Sequence, residues 1–146
     1  MQFTKEELTA LLNREKPLQL AGLDLSKASL NNVELSKADL SGANLNRAFL
    51  DGAKLRYANL NHANLEDASL TDANFHNATF IKADLSGANL SHADLSGADL
   101  SGANLCHTNL TGANLNGIKL TGATYNGFTQ WADGFDPVAA GANLTS

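Results

Sequence analysis

Aromatic residues, cysteine, proline and methionine are all scarce in this sequence. Aromatic side chains make up 6% of the 146 residues, Pro occurs twice, and Cys, Met and Trp occur once each. Because Cys106 is alone, it cannot form a disulfide within the chain, and nothing in the sequence requires an oxidising compartment. The apolar residues are mostly Leu and Ala, which favours a repeated core of uniform cross-section.

Long apolar runs and a basic charge are also missing. No stretch approaches the roughly 18 apolar residues that a membrane-spanning helix needs. The chain begins with acidic residues, Glu6 and Glu7, where a secretory signal would have its apolar segment. The formal net charge is −5, whereas proteins that bind nucleic-acid phosphates are usually basic. We therefore expect a cytoplasmic protein with no direct contact to nucleic acid and none to a membrane.

A period of five residues dominates the sequence. Every fifth residue from Leu20 to Leu120 is Leu or Phe, and Tyr125 continues the series. Two places before each of these lies a second apolar column, from Leu18 to Ala123, which is Ala at 17 of its 22 positions. The position between the columns is often Asp or Asn, and the fifth is often Gly. The consensus pentad is Ala-(Asp/Asn)-Leu-x-x, and we number its positions 1 to 5.

Neither a continuous helix nor a continuous strand places this pattern on one apolar face. A five-residue repeat drifts around an α-helix, and in a strand successive Leu residues would alternate between opposite faces. A chain that turns a corner after every pentad directs both columns inward on each side. Gly at position 5 suits a corner with positive φ, but other residue types occur there too, so the corners need not share one turn type. Asp and Asn at position 2 are expected to bond to corner backbone groups.

The periodicity alone leaves the number of sides open, but 22 uninterrupted pentads resemble the pentapeptide-repeat family. The resemblance covers residues 18–127 and implies four pentads per coil. The fold it implies is all-β: a right-handed quadrilateral β-helix, or solenoid, of about five coils with a short N-terminal capping helix. The N-terminal helix and the aromatic tail resemble those of small cyanobacterial members.

Both ends of a solenoid need a cover, because an open β-edge pairs with other chains. Residues 1–17 are predicted to form an N-terminal helical cap, in which Thr4 and Glu7 make a capping box. Residues 128–146 are predicted to form an aromatic C-terminal cap and tail. The aromatic residues at this end suit either a cap or a homodimer face: Tyr125, Phe128, Trp131 and Phe135.

The sequence gives little support for catalysis, a cofactor or a metal. With twenty residues per coil, no two of the four histidines share a column, so a metal cluster is not expected. Asp72, Ser91 and His92 would lie close together on stacked coils and match the residue types of a hydrolase triad. However, a convex wall offers neither a pocket nor an oxyanion hole, and a cross-coil ion pair is the simpler interpretation. We predict that the protein is not an enzyme.

Exposed apolar side chains are the better indication of function. In the middle of the rod, Ile81 is expected to lie near Tyr57 across a corner, with Arg47, Lys54 and Arg56 in the same region. The candidate partner surface consists of Phe49, Tyr57, His62 and Ile81. The sequence thus predicts a non-catalytic protein-interaction or scaffold module with a regulatory role, whose protein partner it does not identify.

The family resemblance also implies an alternative, which is mimicry of duplex DNA to bind DNA gyrase. A duplex carries one charge per about 1.7 Å of axis, so a rod of about 25 Å would need about 15 negative charges. Residues 20–125 hold ten acids and seven bases, a net charge of −3. This density is too low for a good mimic, and the interaction module is the preferred interpretation.

Overall fold

The computed structural model describes residues 2–145; Met1 and Ser146, the outer ends of the two predicted caps, lie outside the described residues. The chain begins with helix α1 (Lys5–Leu12) and continues as a solenoid of parallel β-bridges. Two short strands, β1 (Thr124–Tyr125) and β2 (Asn143–Leu144), pair in parallel near the C-terminal end. No helix within the described residues is long and apolar enough to cross a membrane.

The same β-turn ends each pentad from residue 18 to residue 122. The amide of position 1 in the next pentad donates to the carbonyl of position 3, as Ala43 N does to Leu40 O at 3.0 Å. From Gly22 to Gly122, position 5 always has positive φ, including at twelve residues that are not glycine. Positive φ at the second central residue alone defines a type II turn. The expectation that the corners need not share one turn type is therefore corrected: they are uniform.

Parallel bridges connect each pentad to the pentad twenty residues further on, which gives the rod four faces. Position 2 provides the bridged residue on every face. We name the faces by their ladders, each in steps of twenty: face 1 from Gln19 to Lys119, face 2 from Asp24 to Thr124, face 3 from Ser29 to Asn109, and face 4 from Glu34 to Asn114.

The two apolar columns form one continuous core along the axis of the rod. From Leu20 to Leu110 the residues at position 3 are at most 1% exposed. Each buried Leu contributes about 1.5–3 kcal/mol relative to an exposed one. Phe75 and Phe80 occupy neighbouring sides of one coil, and their ring centroids lie 4.9 Å apart in an edge contact. Burial is thus spread evenly, and Phe75 and Phe80 are the two places between Leu20 and Leu120 where position 3 holds an aromatic ring.

Side-chain oxygens at position 2 bond to the corner that follows them, as the sequence predicted. Asn44 Oδ1 accepts a hydrogen bond from Asn46 N at 3.1 Å, two residues later. The hydroxyl of a serine at position 4 donates a second hydrogen bond to the same oxygen, as Ser101 Oγ does to Asp99 Oδ1 at 2.5 Å. Each such bond satisfies an amide that the parallel ladder leaves free, with a net contribution of about 0.5–1.5 kcal/mol.

Helix α1 lies over the first coil and begins with the predicted capping box. Glu7 N donates to Thr4 Oγ1 at 3.1 Å, and Thr4 N donates to Glu7 Oε2 at 2.8 Å. Leu8 and Leu11 are both buried and belong to the same apolar cluster as the first coil. The start of the helix is therefore determined by local sequence, and its position by the two leucines that it buries.

The C-terminal end departs from the twenty-residue register. Asn109 pairs with Gln130, a step of 21 residues, and Thr124 pairs with Asn143, a step of 19. The extra residue lies in the corner 126–129, where Asn126 N bonds to Thr129 Oγ1 at 3.1 Å. Face 2 therefore extends to Asn143 and face 3 to Gln130, whereas the ladder of face 1 ends at Lys119 and that of face 4 at Asn114.

Candidate functional site

The residues considered for catalysis do not form a site. Within residues 2–145, no three His, Cys, Asp or Glu side chains converge in an arrangement that could hold a metal ion. Asp72 does lie one coil from His92, since Asp72 N donates to Ser91 O at 3.1 Å. The predicted ion pair between Asp72 and His92 is not among the ion pairs of the described chain, which are Arg47–Asp67 and Lys119–Asp99.

Tyr57 stands out on the surface of the rod, at the corner between faces 4 and 1. Its side chain is 52% exposed, and its backbone is left-handed with φ of +60°. The guanidinium carbon of Arg56 lies 5.9 Å from the ring centroid, within range of a cation–π contact. The ring of His76 meets Tyr57 edge-on, with centroids 6.0 Å apart. We call this region the Tyr57 corner, and it consists of Lys37, Lys54, Arg56, Tyr57 and His76.

The pentad 53–57 lacks the corner hydrogen bond in the middle of the rod, whereas the other described amides at position 4 without it, Ala21 N, Asn31 N and Thr121 N, lie in pentads near the two ends. Position 2 is Lys54, which has no oxygen to offer, and Arg56 N makes no hydrogen bond within the described residues. Every other amide at position 4 from Ser36 to Asn116 donates to a side-chain oxygen. At Phe49, where position 2 also lacks an acceptor, Asn31 Oδ1 of the coil below replaces it and accepts from Asp51 N at 2.9 Å.

The same pentad also breaks the backbone rule. Position 5 requires positive φ, which suits Gly and, to a smaller extent, Asn and Asp. Tyr57 is the one Phe, Tyr or Trp residue that adopts this conformation in the described chain. A bulky side chain in the left-handed region costs about 1–2 kcal/mol. This pentad therefore combines a missing corner hydrogen bond with a bulky residue in a left-handed backbone.

The cations of the Tyr57 corner form no salt bridge within residues 2–145. Within residues 2–145, no carboxylate lies within 4.0 Å of the charged nitrogens of Lys37, Lys54 or Arg56. Two acidic residues are near, but both bond to their own corners: Glu34 accepts from Ser36 N at 2.8 Å, and Asp94 accepts from Ser96 N at 2.9 Å.

These hydrogen bonds also affect the ionisation of the corner. The bonds from Ser36 hold the pKa of Glu34 below its usual value. Burial alone would raise the pKa of Asp94, but the bonds from Ser96 outweigh it and lower the pKa. Hydrogen bonding to Asn77, with a further contribution from Arg56, lowers the pKa of Tyr57.

His76 is held in place by two hydrogen bonds. Its Nε2 lies 3.0 Å from Asn77 Nδ2, and its Nδ1 lies 2.8 Å from Ser96 Oγ. Because an amide nitrogen only donates, Nε2 is the acceptor and Nδ1 carries the proton that is donated to Ser96. The imidazole is thus fixed as a support for the Tyr57 ring.

The structure does not bring the four residues of the candidate partner surface together. His62 and Ile81 lie at the corner between faces 1 and 2, where His62 N donates to Ile81 O at 2.9 Å. Tyr57 lies at the other edge of face 1, so face 1 and not a single corner separates it from Ile81. Phe49 bridges Ser29 and Ser69 on face 3, on the far side of the rod. Arg47 lies at the corner between faces 2 and 3, also remote from Tyr57.

The four aromatic residues near the C-terminus divide into two groups. The Trp131 ring lies between Tyr125, at 5.4 Å in an edge contact, and Phe135, at 5.3 Å in a stacked contact. Tyr125 is buried, and the other two pack against the core, as residues of a cap would. Phe128 is 71% exposed and stacks on the ring of His107, 4.9 Å away. A homodimer face at this end stays a prediction, to which Phe128 would contribute the exposed ring.

Comparison with known proteins gives a consistent family likeness. The family described as "Pentapeptide repeats (8 copies)" matches residues 19–56, 48–87 and 88–124. A solved pentapeptide repeat protein from the cyanobacterium Cyanothece 51142 is 31% identical with a TM-score of 0.51, over 77% of this chain and 90% of that chain. No curated protein sequence matches the chain significantly. The Cyanothece likeness supports a right-handed β-helix.

Two further solved structures are similar in sequence. HetL of Nostoc sp. strain PCC 7120, a pentapeptide repeat protein involved in heterocyst differentiation regulation, is 30% identical with a TM-score of 0.42, over 75% of this chain and 61% of that chain. A second Nostoc PCC 7120 pentapeptide repeat protein is 32% identical with a TM-score of 0.35, over 97% of this chain and 96% of that chain. These two add likeness in sequence, from the same group of organisms as the Cyanothece protein.

Proposed function

The chain belongs to the pentapeptide-repeat family, and on that premise we propose that it is a non-catalytic protein-interaction module with a regulatory or scaffold role. The partner would bind to the outer surface of the rod, with Tyr57 as the anchor. The observation that supports this assignment is the pentad 53–57, which lacks a corner acceptor and holds an exposed Tyr in a left-handed backbone. Backbone strain at exposed residues is often found at binding sites.

The free-energy cost of this pentad is the reason to look for a function there. Left-handed strain at Tyr57 costs about 1–2 kcal/mol, and the missing bond to Arg56 N forgoes about 0.5–1.5 kcal/mol. The changes Lys54→Asn and Tyr57→Gly would remove both costs without altering the core. Residues that break the local rules of a fold with no structural gain are expected at functional sites.

We propose the remaining properties on the same basis. The protein would act in the cytoplasm, without a cofactor, a metal, or direct contact to nucleic acid or membrane. Its caps would comprise residues 1–17 and 128–146, around a repeat domain of residues 18–127. A homodimer through the C-terminal cap belongs to the same proposal.

The Tyr57 corner also disfavours the alternative, mimicry of duplex DNA towards DNA gyrase. A mimic needs a continuous negative surface, whereas Lys37, Lys54 and Arg56 form a positive region in the middle of the rod. A supercoiling assay with purified gyrase distinguishes the two functions. We expect no inhibition at micromolar protein; strong inhibition would reverse the assignment.

Affinity capture from a lysate of the source organism, read by mass spectrometry, tests the interaction module. The bait is compared with Tyr57→Gly, which removes the ring and relieves the strain. The matched control is His92→Gly, which removes a ring from an equivalent left-handed position, φ +61°, at the corner between faces 3 and 4. We expect a partner that is lost with Tyr57→Gly and kept with His92→Gly. A set of captured proteins that is the same for both variants would contradict the proposal.

A further inference from the structure

We infer that the Tyr57 corner binds an acidic segment of a partner protein, whose carboxylates contact Lys37, Lys54 and Arg56 while Tyr57 packs against the segment. The inference rests on the proposed function, because it names the chemistry of the partner at that same corner. It goes further in committing to charge: the segment must carry Asp or Glu.

The first argument is the grouping of three cations at one corner of an acidic protein. The protein has a net charge of −5, and two cations elsewhere on the rod are paired with carboxylates one coil away. Arg47 Nε lies 3.7 Å from Asp67, and Lys119 Nζ lies 4.0 Å from Asp99. The three cations of the Tyr57 corner have no such partner within the described residues. The nearby carboxylates of Glu34 and Asp94 bond to their own corners and lie more than 4.0 Å from the charged nitrogens of these cations.

The second argument is the arrangement of the cations around the exposed ring. Lys37 precedes Tyr57 in the same corner column, and the two pentads are joined by the bond from Lys37 N to Arg56 O at 2.8 Å. Stacked coils are about 4.8 Å apart, so one short acidic segment reaches charges on both coils. Lys54 extends the positive region onto face 4, where its backbone forms a parallel β-bridge with that of Glu34.

The third argument is the residue types. Tyr and Arg are enriched at the energetic centres of protein interfaces, where a large ring is combined with a hydrogen-bonding group. The exposed Tyr57 hydroxyl can donate a hydrogen bond, and the guanidinium of Arg56 can hold a carboxylate with two parallel hydrogen bonds. His76, fixed by Ser96 and Asn77, keeps the ring in place. The corner therefore offers a preformed ring, a donor and three charges to one carboxylate-bearing segment.

The test uses fluorescein-labelled poly-glutamate as the probe, with binding followed by fluorescence anisotropy at low ionic strength. The variant is Lys37→Glu. The control is Lys27→Glu, because Lys27 occupies the same left-handed position, with φ of +60° against +62° for Lys37, at the diagonally opposite corner. Both variants change the net charge equally and leave the core untouched. We expect Lys37→Glu to weaken binding by about tenfold and Lys27→Glu to leave it unchanged.

Salt and folding are checked in the same experiment. Binding by the wild-type protein should decrease strongly as ionic strength rises, because the contacts are exposed charges. Thermal unfolding of each variant shows that the rod is intact. If poly-glutamate does not bind the wild-type protein, or if Lys37→Glu and Lys27→Glu weaken binding equally, the inference is wrong.

Failure of this inference can be distinguished from failure of the proposed function. A captured partner that depends on Tyr57 but is unaffected by Lys37→Glu would overturn the acidic segment and leave the interaction module standing. Conversely, poly-glutamate binding that depends on Lys37, with no captured protein that depends on Tyr57, would overturn the module and leave the corner as an anion-binding surface.

Discussion

Restoring the consensus in pentad 53–57 should stabilise the protein. The double variant Lys54→Asn and Tyr57→Gly places an acceptor at position 2, as in most pentads, and a glycine at position 5, as in nine of the 21 corners from Gly22 to Gly122. The introduced amide oxygen would then accept from Arg56 N, in the way that Asn74 Oδ1 accepts from His76 N at 3.0 Å one coil further on. The introduced glycine would adopt the φ of +60° without a Cβ clash.

The expected gain follows from four contributions. Relief of left-handed strain contributes about 1–2 kcal/mol, and the new hydrogen bond about 0.5–1.5 kcal/mol. The variant loses the contacts of an exposed ring with Arg56 and His76, each about 0.5 kcal/mol at the weak end of its range. The net stabilisation is about 1.5 kcal/mol, which for a chain of this length raises the melting temperature by about 3–6 °C.

Thermal unfolding followed by circular dichroism measures this effect. The control is the reverse change one coil further on, Asn74→Lys, which removes the acceptor that His76 N uses and should lower the melting temperature by about 2–4 °C. If the double variant melts below the wild type, or if Asn74→Lys has no effect, the corner bonds do not contribute as argued. The cost assigned to the Tyr57 corner would then be wrong.

Two further predictions concern the core and the acidic corners. Phe75→Ala should lower the free energy of unfolding by about 3–5 kcal/mol in urea titrations, because the cavity also exposes Phe80; a loss below about 1 kcal/mol would mean that the coil collapses around it. Burial raises the pKa of Asp99, but the bonds from Ser101 outweigh it, so the net pKa is below its ordinary value of 3.8. Ionised Asp99 therefore stabilises the fold above pH 3.8, and this contribution is lost as the pH falls through the pKa of the folded state. The melting temperature of Asp99→Asn should decrease less on acidification than that of the wild type. An unchanged acid profile would exclude Asp99 as a contributor.

Local sequence was sufficient to predict the parts of the fold that depend on neighbouring residues. The capping box of Thr4 and Glu7 lies within one turn of helix, so its residue types predict it directly. The columns from Leu20 to Leu120 share a fixed spacing, and any chain that turns a corner every five residues must bury them. The side-chain bonds of position 2 also connect residues only two apart.

Properties that depend on the whole coil were harder to predict. Phe49 and Tyr57 are eight residues apart and were expected on one surface, but the twenty-residue coil places Phe49 on face 3 and Tyr57 at the edge of face 1. Beyond Tyr125 the period stops, so the sequence contained nothing to indicate the extra residue in the corner 126–129 or the return of β2 over β1. The missing acceptor at Lys54 was visible as a departure from the consensus, but its importance required the observation that Phe49 is compensated and Lys54 is not.

The twelve non-glycine residues at left-handed corners have a consequence for how such a protein evolves. Position 5 points away from both apolar columns, so a substitution there changes the surface and leaves the packing of Leu and Ala unaltered. The stability cost of each such side chain is bounded, at about 1–2 kcal/mol of backbone strain, and is confined to one turn. Selection can therefore alter the binding properties of this rod one corner at a time, while the architecture that displays them remains constant.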